Sequence, residues 1–432
     1  MKTNFNRYSC SLLAGILLLT AAGCKKEYAD PSGPSYDQVI SSPNALADIT
    51  VGLQNWYTAN RTSILYTSIA TASLLTGETY VVNAGNADEG QLFAGGASLQ
   101  NTNAVVTGMW AVSNKVVFDA NRTLNSVDAV VSDANYAAGI KAYASIFKAL
   151  AIGNMSMFWT HVPDTIGVNV PFITSQEGYR KAVRVIDGAL GVLAKDTISA
   201  AFRTSIPAGV NILNTLYALK ARYALFGGLY DTALAAANKV APAAPVSVFS
   251  YNTTFTNPIF TLVTATNNIY QVIDSSMGLP AGLRPDDADQ RFPFYVGILS
   301  NPKFRVKGFF NALTQSIPVY LPGELTLIKA ECYARKGEVA NGLTALNQIV
   351  TKQPAADPLG VGAGLPPVDA GTADELLPLI YKHRRIELFM SGMELEDQRR
   401  FDRPVAERKR TWLPFPFVER NDNTNIPEDP AF

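Results

Sequence analysis

Apolar residues recur at helical spacing along most of the chain. Before the first such pattern, Ser42 and Pro43 suit the N-cap and the first position of a helix. The same spacing returns at residues 109–127 and 136–158, so the pattern predicts a mainly helical protein whose apolar faces pack together. The apolar positions of the first predicted helix are Leu46, Ile49, Leu53, Trp56 and Tyr57.

Two segments, residues 218–240 and 327–350, share one order of features: a helical pattern, a short turn with glycine and a second helical pattern. Small residues on the first helix allow the second to come close, as in tetratricopeptide-like helix pairs. We predict such pairs within about residues 136–240 and 319–352, with residues 136–158 and 179–195 as a further pair. The matched positions are Ala221 with Ala330, Gly228 with Gly337, and Leu234 with Leu343.

Two stretches lack a sustained helical period. Residues 66–103 are rich in Gly and Asn, and residues 242–318 are rich in Phe, Tyr, Asn, Thr and Pro. We expect the first to be a long surface excursion and the second to hold loops with a few short strands, and we expect both to display a ligand. The final residues, 411–432, contain four prolines and are predicted to lie extended over the helices.

Charge is concentrated near the carboxyl end. Fifteen of the 29 residues from Lys382 to Arg410 are charged, against 17% of the whole chain. The spacing of charges in residues 379–404 predicts a helix, and the simplest interpretation is a solvated face with ion pairs rather than a catalytic site. Gly392 interrupts this pattern, and the arginines after it could clamp other segments, so a second interpretation is an ionic frame that holds the helix pairs and the tail together. The predicted ion pairs are Arg384 with Glu387, Asp397 with Arg400, and Glu396 with Arg400.

The overall charge balance narrows the class of partner. With 36 basic and 36 acidic residues the chain has no net charge, which argues against a nucleic-acid partner and suggests an uncharged ligand. The cysteines are Cys10, Cys24 and Cys332, and the first two lie in the amino-terminal apolar segment. No disulfide framework is possible in the rest of the chain, so we expect Cys332 to be a small buried residue.

The amino terminus resembles an export signal. Lys2 and Arg7 precede an apolar run at residues 11–22 that is too short to span a membrane. The following Ala-Ala-Gly-Cys, which ends at Cys24, resembles the lipobox of bacterial lipoproteins, although an ordinary cleavage site is the alternative. We therefore predict a signal peptide at residues 1–23, lipid attachment at Cys24, and a flexible tether at residues 24–40, giving a protein anchored to a membrane without spanning it.

Three further segments stand in a fixed order with the charged stretch: IPVYLPGELTLIKAECYARKG from Ile317, TWLPFPFVER from Thr411, and a closing DPAF. Together they resemble the SusD/RagB family of outer-membrane lipoproteins of Bacteroidetes over nearly the whole chain. Ser391 stands where the family has Glu, and Glu394 stands where it has Arg. The residues of the charged stretch that match the family pattern are Arg384, Arg385, Glu387, Leu388, Gly392, Asp397, Arg399, Arg400 and Phe401.

This resemblance implies a mainly α-helical SusD-like fold built on tetratricopeptide-like helix pairs. It also implies a lipid-anchored outer-membrane protein, facing the cell exterior, that captures an oligosaccharide for a TonB-dependent, SusC-like transporter. Some members of the family bind peptides instead, and the resemblance implies neither catalysis nor a cofactor. The alternative from a different class is a helical-repeat lipoprotein that organises other envelope proteins through its helix surfaces.

Sugar binding requires aromatic faces and hydrogen-bonding side chains on an exposed cleft. The two irregular stretches supply both, although burial under its own loop is the alternative for each aromatic residue. We assign Trp56, Trp110 and Trp159 to the core because they lie on helical patterns. The candidate ligand-binding residues are Tyr66, Tyr80, Asn83, Asn86, Tyr270, Arg291, Phe292, Phe294 and Tyr295.

The sequence gives little support for catalysis or for metal binding. The clustered carboxylates Asp286, Asp287 and Asp289 fit no glycosidase motif and suit a turn. His161 and His383 are far apart and lack the spacing of a zinc site. We therefore predict no catalytic residue and no metal site.

Overall fold

α-Helices are the main secondary structure in the part of the chain that the computed structural model describes, which is residue 40 and residues 42–242, 244–266 and 268–432. The predicted signal peptide, Cys24 and nearly all of the predicted tether lie outside the described residues. The helices are α1 (Pro43–Thr58), α2 (Ile64–Leu75), α3 (Ala87–Ala94), α4 (Ala104–Val130), α5 (Ala134–Phe158), α6 (Ser175–Leu193), α7 (Ala200–Ser205), α8 (Ile212–Phe226), α9 (Tyr230–Ala237), α10 (Arg291–Tyr295), α11 (Pro322–Arg335), α12 (Val339–Val350), α13 (Ala373–Glu387), α14 (Glu394–Arg400) and α15 (Phe417–Asp422).

The strands are short and pair two at a time, always antiparallel, within the described ranges. The partners are β1 with β5, β2 with β3, β4 with β8, and β6 with β7. Between residues 242 and 318 the described residues form several of these strands, the five-residue helix α10, a five-residue π-helix and short turns, so the stretch is largely irregular, as predicted. The strands are β1 (Thr79–Val81), β2 (His161–Pro163), β3 (Phe172–Thr174), β4 (Val248–Phe249), β5 (Tyr270–Val272), β6 (Val296–Ile298), β7 (Phe304–Val306) and β8 (Ile317–Pro318).

Helix α1 begins as the sequence predicts. The Ser42 hydroxyl accepts a hydrogen bond from the Ala45 N–H at 3.2 Å, and a proline follows the cap. The core assignment of Trp56 is wrong, because 42% of this residue is exposed and its ring lies 5.2 Å below the Lys115 ammonium. Trp110 and Trp159 are buried as predicted. One helical face can therefore carry a tryptophan that packs on a cation rather than in the core.

The prediction that residues 66–103 form a surface excursion is wrong for its first part. All residues of α2 are buried, and α3 provides a second helix in the same stretch. A helix buried all round shows no apolar face in its sequence, since apolar and small hydroxylated residues cover every side. Some of the hydroxyls bind main-chain carbonyls one turn earlier: Thr67 donates to the Ser63 carbonyl at 2.9 Å and Thr76, just after the helix, to the Ala72 carbonyl at 2.8 Å.

The two predicted helix pairs are present as α8 with α9 and α11 with α12. Their turns contain Gly228 and Gly337, whose φ angles of 73° and 78° lie in the left-handed region that favours glycine. Ala221 and Ala330 are fully buried on the first helix of each pair, where a larger side chain would push the second helix away. The predicted further pair is present as α5 and α6, which pack against each other.

The proline-rich tail differs from the prediction at one place. Residues 411–416 and 423–432 have no helix, but α15 lies between them. Pro416 stands just before this helix, where its missing N–H costs no hydrogen bond, and the next proline comes only at Pro427. The tail is fixed to the end of α5, because the Trp159 indole donates to the Pro414 carbonyl at 2.9 Å.

The charged stretch forms two helices, α13 and α14, separated by a turn in which Gly392 has a φ of 83°. The solvated-face interpretation is wrong, because Arg384, Arg385 and Asp397 are each at most 1% exposed. The predicted pair of Arg384 with Glu387 is replaced by a pair with Asp397, whose carboxylate lies 2.8 Å from the Arg384 Nε. Charges spaced for a helix surface thus face inward and pair between helices.

The second interpretation, an ionic frame, is confirmed. The predicted pairs of Arg400 with Asp397 and Glu396 form at 2.6 and 3.7 Å, and Arg400 also reaches Glu331 on α11 at 2.8 Å. Arg399 donates to the Thr411 carbonyl of the tail at 2.9 Å. We define the ionic frame by its members, which are Arg384, Asp397, Arg399, Arg400, Glu396 and Glu331.

Residues Ser42–Phe432 form one compact unit. Cys332 is buried and free, as predicted. Within the described part of the chain, no helix combines the length and the apolar character needed to cross a membrane.

Candidate functional site

The two irregular stretches meet at the β1–β5 ladder, where Tyr80 stands opposite Gln271. Beyond the ladder, the Asn83 amide donates to the side-chain carbonyl of Asn268 at 2.7 Å, and the Asn86 amide donates to its main-chain carbonyl at 3.1 Å. Asn83 is exposed, and Tyr80 and Asn86 are partly exposed. The structure therefore brings three candidate residues to one surface, which we call the asparagine ridge (Tyr80, Asn83, Asn86 and Asn268).

Two other candidates, Tyr66 and Tyr270, lie beneath this surface and are fully buried. Their ring centroids are 6.4 Å apart, and the Tyr66 hydroxyl donates to the Glu89 carboxylate at 3.1 Å. Burial raises the pKa of the Tyr66 phenol well above its ordinary value. Packing roles account for both rings, which have no face open to a ligand in this structure.

Arg291 is also fully buried, at the start of α10. Its guanidinium binds Asp289 at 2.7 Å and Glu387 at 3.2 Å, and it donates to the His383 ring at 2.8 Å. Burial, with the positive charges of Arg291 and Lys382, lowers the pKa of His383 to about 2. The imidazole therefore stays neutral and accepts the hydrogen bond from Arg291. The candidate residue Arg291 thus supports the site from the interior of the protein.

Tyr295, at the end of α10, is 1% exposed and donates its hydroxyl to the Glu387 carbonyl at 2.6 Å. This bond ties α10 to the end of α13. Phe292 and Phe294, which face other directions on the same short helix, are half-buried. Phe292 packs edge-on against Phe304 of the β6–β7 hairpin, with ring centroids 6.5 Å apart.

Phe294 lines a cleft of about 400 Å³, within the range of small-molecule binding sites. We call it the Phe294 cleft. Its residues come from β4, α10, the segment between β7 and β8, β8 itself and the segment after α12. They are Val248, Phe294, Lys307, Gly308, Phe309, Asn311, Gln315, Ser316, Pro318, Pro358 and Leu359.

The aromatic floor of the cleft is closely packed. The rings of Phe294 and Phe309 meet edge to face with centroids 5.4 Å apart, and Phe294 packs on Tyr295 at 4.8 Å. Gly308 has a φ of 59°, and a Cβ there would lie 2.8 Å from the Tyr295 ring. Glycine allows the chain to pass this close to Tyr295, and a side chain at this position would have to displace the ring.

A buried asparagine holds the loop that forms one wall. The Asn257 amide donates to the carbonyls of Phe309 at 2.9 Å and Gln315 at 2.8 Å, and its main-chain N–H donates to Leu313 at 2.9 Å. Asn257 is fully buried, and its bond to the Phe309 carbonyl is shielded from water. The wall is therefore built before any ligand arrives.

The opposite wall, Pro358 and Leu359, is held by charge. The Asp357 carboxylate accepts the Leu359 N–H at 2.9 Å and binds the Lys352 ammonium at 2.7 Å, and Lys352 also reaches Glu387 at 2.6 Å. Glu387, whose carboxylate also binds Arg291, thus supports this wall through Lys352.

The polar side chains that face the cleft are suited to hydroxyl groups. Asn311 and Gln315 are exposed, and their side-chain amides make no hydrogen bond to another described residue. Lys307 is half-buried, and its ammonium donates to the Pro293 carbonyl at 2.9 Å. Aromatic faces next to free amides are an arrangement that can hold a sugar ring by its C–H surface and its hydroxyls.

The sequence predicts the lining of this cleft only in part. Of the nine candidates Phe294 lines it, while Tyr80, Asn83 and Asn86 form the asparagine ridge. Lys307, Asn311 and Gln315 were missed, although they lie in the stretch assigned to ligand display. The only sequence feature that marks these three residues is their position in a polar loop beside two phenylalanines. Residue spacing does not distinguish such a loop from an ordinary surface turn.

Comparisons with known proteins support the fold. No protein-family model matches the chain, and no curated protein does. A SusD superfamily protein from Bacteroides fragilis is similar over 90% of this chain and 100% of that one, at 17% identity and a TM-score of 0.65. A SusD-like carbohydrate binding protein from Bacteroides vulgatus matches over 84% of each chain, at 15% identity and a TM-score of 0.67. A SusD homolog from Bacteroides thetaiotaomicron matches over 89% and 97%, at 14% identity and a TM-score of 0.65. The chain therefore has the SusD-like fold, which confirms the predicted fold class.

Proposed function

We propose that this protein is a cell-surface lipoprotein that captures an oligosaccharide and delivers it to a TonB-dependent, SusC-like outer-membrane transporter. The observation that carries the proposal is the SusD-like fold, whose match extends over most of both chains and includes a protein described as carbohydrate binding. The lipobox-like sequence at Cys24 supports the membrane anchor.

The Phe294 cleft is the proposed binding site, and the asparagine ridge is a second surface that a longer glycan could reach. Aromatic rings bury large apolar area, and amides on a fixed loop provide hydrogen bonds without a large ordering cost. No carboxylate lines the cleft in the described part of the chain, whereas a glycosidase uses a pair of them. The proposed role is therefore capture without turnover.

Titration calorimetry with a panel of neutral and acidic oligosaccharides tests capture, using the protein without residues 1–24. We expect Phe294→Ala to weaken binding about tenfold, as for other aromatic anchors. Phe118→Ala provides a matched control, because Phe118 is 40% exposed on α4 and does not line the cleft. Equal affinity of the two variants would refute the assignment of the site, and product formation from a bound glycan would refute capture without turnover.

Delivery and anchoring need the lipidated protein in its own membrane. We expect the full chain to co-purify with a transporter barrel and Cys24→Ala to abolish lipid attachment. If helix-surface variants abolish uptake while Phe294→Ala leaves it intact, the protein acts as a scaffold. Binding of peptides in place of glycans would change the ligand class and leave the delivery role.

A further inference from the structure

The Phe294 cleft has an unbalanced charge. Lys307 is its only ionisable lining residue among those that the structure describes. The rest of the lining is aromatic, apolar, amide or hydroxyl. A cleft of this kind presents a positive charge on an otherwise neutral surface. Such a surface complements a negative charge, whereas the overall composition of the chain suggests an uncharged ligand.

The position of Lys307 is fixed. Its main-chain N–H donates to the Tyr295 carbonyl at 2.9 Å, and its ammonium donates to the Pro293 carbonyl at 2.9 Å. An ammonium group has three N–H donors, so two remain after the bond to Pro293. Lys307 forms no ion pair with any described carboxylate, since its ammonium donates to a main-chain carbonyl instead. Its charge is therefore held beside the aromatic floor with donors to spare.

The carboxylates behind the cleft do not neutralise this lysine. Asp357 is paired with Lys352 at 2.7 Å, and Glu387 is paired with Lys352 at 2.6 Å and with Arg291 at 3.2 Å. Both carboxylates are buried behind the wall, where each contacts a cation other than Lys307. Among the described residues that line the cleft, Lys307 is the only charged one, and neither Asp357 nor Glu387 pairs with it.

We propose that the cleft binds an acidic sugar, whose carboxylate or sulfate group pairs with Lys307. The ring face of this sugar lies on Phe294, which packs edge to face against the buried Phe309, and its hydroxyls bind the amides of Asn311 and Gln315. A charge-assisted hydrogen bond from a half-buried ammonium is stronger than a bond between neutral groups, so the anionic group sets the preference. This inference rests on the proposed function and narrows its ligand to acidic oligosaccharides.

The test compares charged glycans with their neutral counterparts by calorimetry. The probes are oligogalacturonates with their methyl esters, and carrageenan oligosaccharides with their desulfated forms, so the two arms separate a carboxylate from a sulfate. We expect one charged form to bind about tenfold or more tightly than its neutral form. Lys307→Gln should remove this difference, and Lys307→Arg should keep most of it.

The control variant is Lys303→Gln, because Lys303 lies on the ring of Phe304 outside the cleft and is exposed. It should bind every probe as the unchanged protein does. Equal binding of charged and neutral forms, or a Lys307→Gln variant that keeps the difference, overturns the acidic-sugar inference and leaves glycan capture standing. Failure of every glycan in the panel to bind overturns both.

Discussion

Replacing Asp397 by alanine is the strongest test of the ionic frame. Both Asp397 carboxylate oxygens lie 2.8 Å from the Arg384 Nε, and one lies 2.6 Å from the Arg400 Nη2. Arg400 keeps Glu331 when Asp397 is lost. Arg384 is fully buried and has no other hydrogen-bond acceptor among the described residues. The substitution therefore leaves a buried guanidinium without a hydrogen-bond acceptor among the described residues.

Removing one partner of a buried ion pair costs about 3–5 kcal/mol. The entropy of unfolding is about 2.1 cal/mol/K per residue, which gives about 0.8 kcal/mol/K for the roughly 390 residues from Ser42 to Phe432. The melting temperature should therefore fall by about 4–6 °C. Asp397 does not line the Phe294 cleft, so we expect the ligand preference of the folded variant to be unchanged.

Thermal unfolding followed by circular dichroism at 222 nm measures this shift. Asp128→Ala is the matched control: Asp128 pairs with Lys141 at 2.6 Å, but its side chain is 75% exposed. An exposed pair contributes about 0–1 kcal/mol, so the control should melt within about 1 °C of the unchanged protein. If both variants melt together, the frame does not stabilise the fold. If Asp397→Ala remains folded and changes its ligand, the separation of frame and site is wrong.

Two further measurements test the packing and the buried imidazole. Gly153→Ala should destabilise the protein by about 1–3 kcal/mol, because the new Cβ would lie 2.2 Å from the Tyr223 ring. Gly188→Ala is the control: its new Cβ meets no atom within 4 Å, so it should stabilise its helix by about 0.5–1 kcal/mol. Similar shifts in the melting temperatures of the two variants would contradict this packing. Burial, with Arg291 and Lys382, lowers the pKa of His383 from 6.5 to about 2, so below pH 6.5 the unfolded chain binds a proton that the folded protein does not. The free energy of unfolding should fall with decreasing pH from 6.5 towards 2 at up to about 1.4 kcal/mol per pH unit, and His383→Gln, followed by urea unfolding, should reduce this slope.

The sequence predicts the helix pairs well because their signals are local. Gly228 and Gly337 end helices by a backbone conformation that glycine favours, and the pattern before and after each glycine shows this directly. Ser42 caps α1 for an equally local reason, since its hydroxyl reaches an N–H three residues away. Such features depend on a few neighbouring residues and need no knowledge of the rest of the fold.

The remaining features depend on contacts between distant segments. Burial of α2 on every side removes the periodicity that marks a helix, so its sequence resembles a loop. Asn257 shapes the cleft through bonds to residues 52 and 58 positions away. Arg384 has a nearby acid on its own helix, yet its partner comes from α14 because the turn at Gly392 folds the two helices together. Rules based on residue spacing predict neither the geometry of this turn nor the contacts between distant loops.

Glu387 connects the charged stretch to the proposed binding site. Its carboxylate binds Lys352 at 2.6 Å and Arg291 at 3.2 Å, and its carbonyl accepts the Tyr295 hydroxyl. Lys352 positions one wall of the Phe294 cleft through Asp357, while Tyr295 supports the aromatic floor. The two ends of the charged stretch therefore differ: Asp397 joins helices away from the cleft, whereas Glu387 fixes two surfaces that a ligand would touch. A stretch that contacts no ligand can thus determine the shape of the site, because a buried charge constrains all the segments that neutralise it.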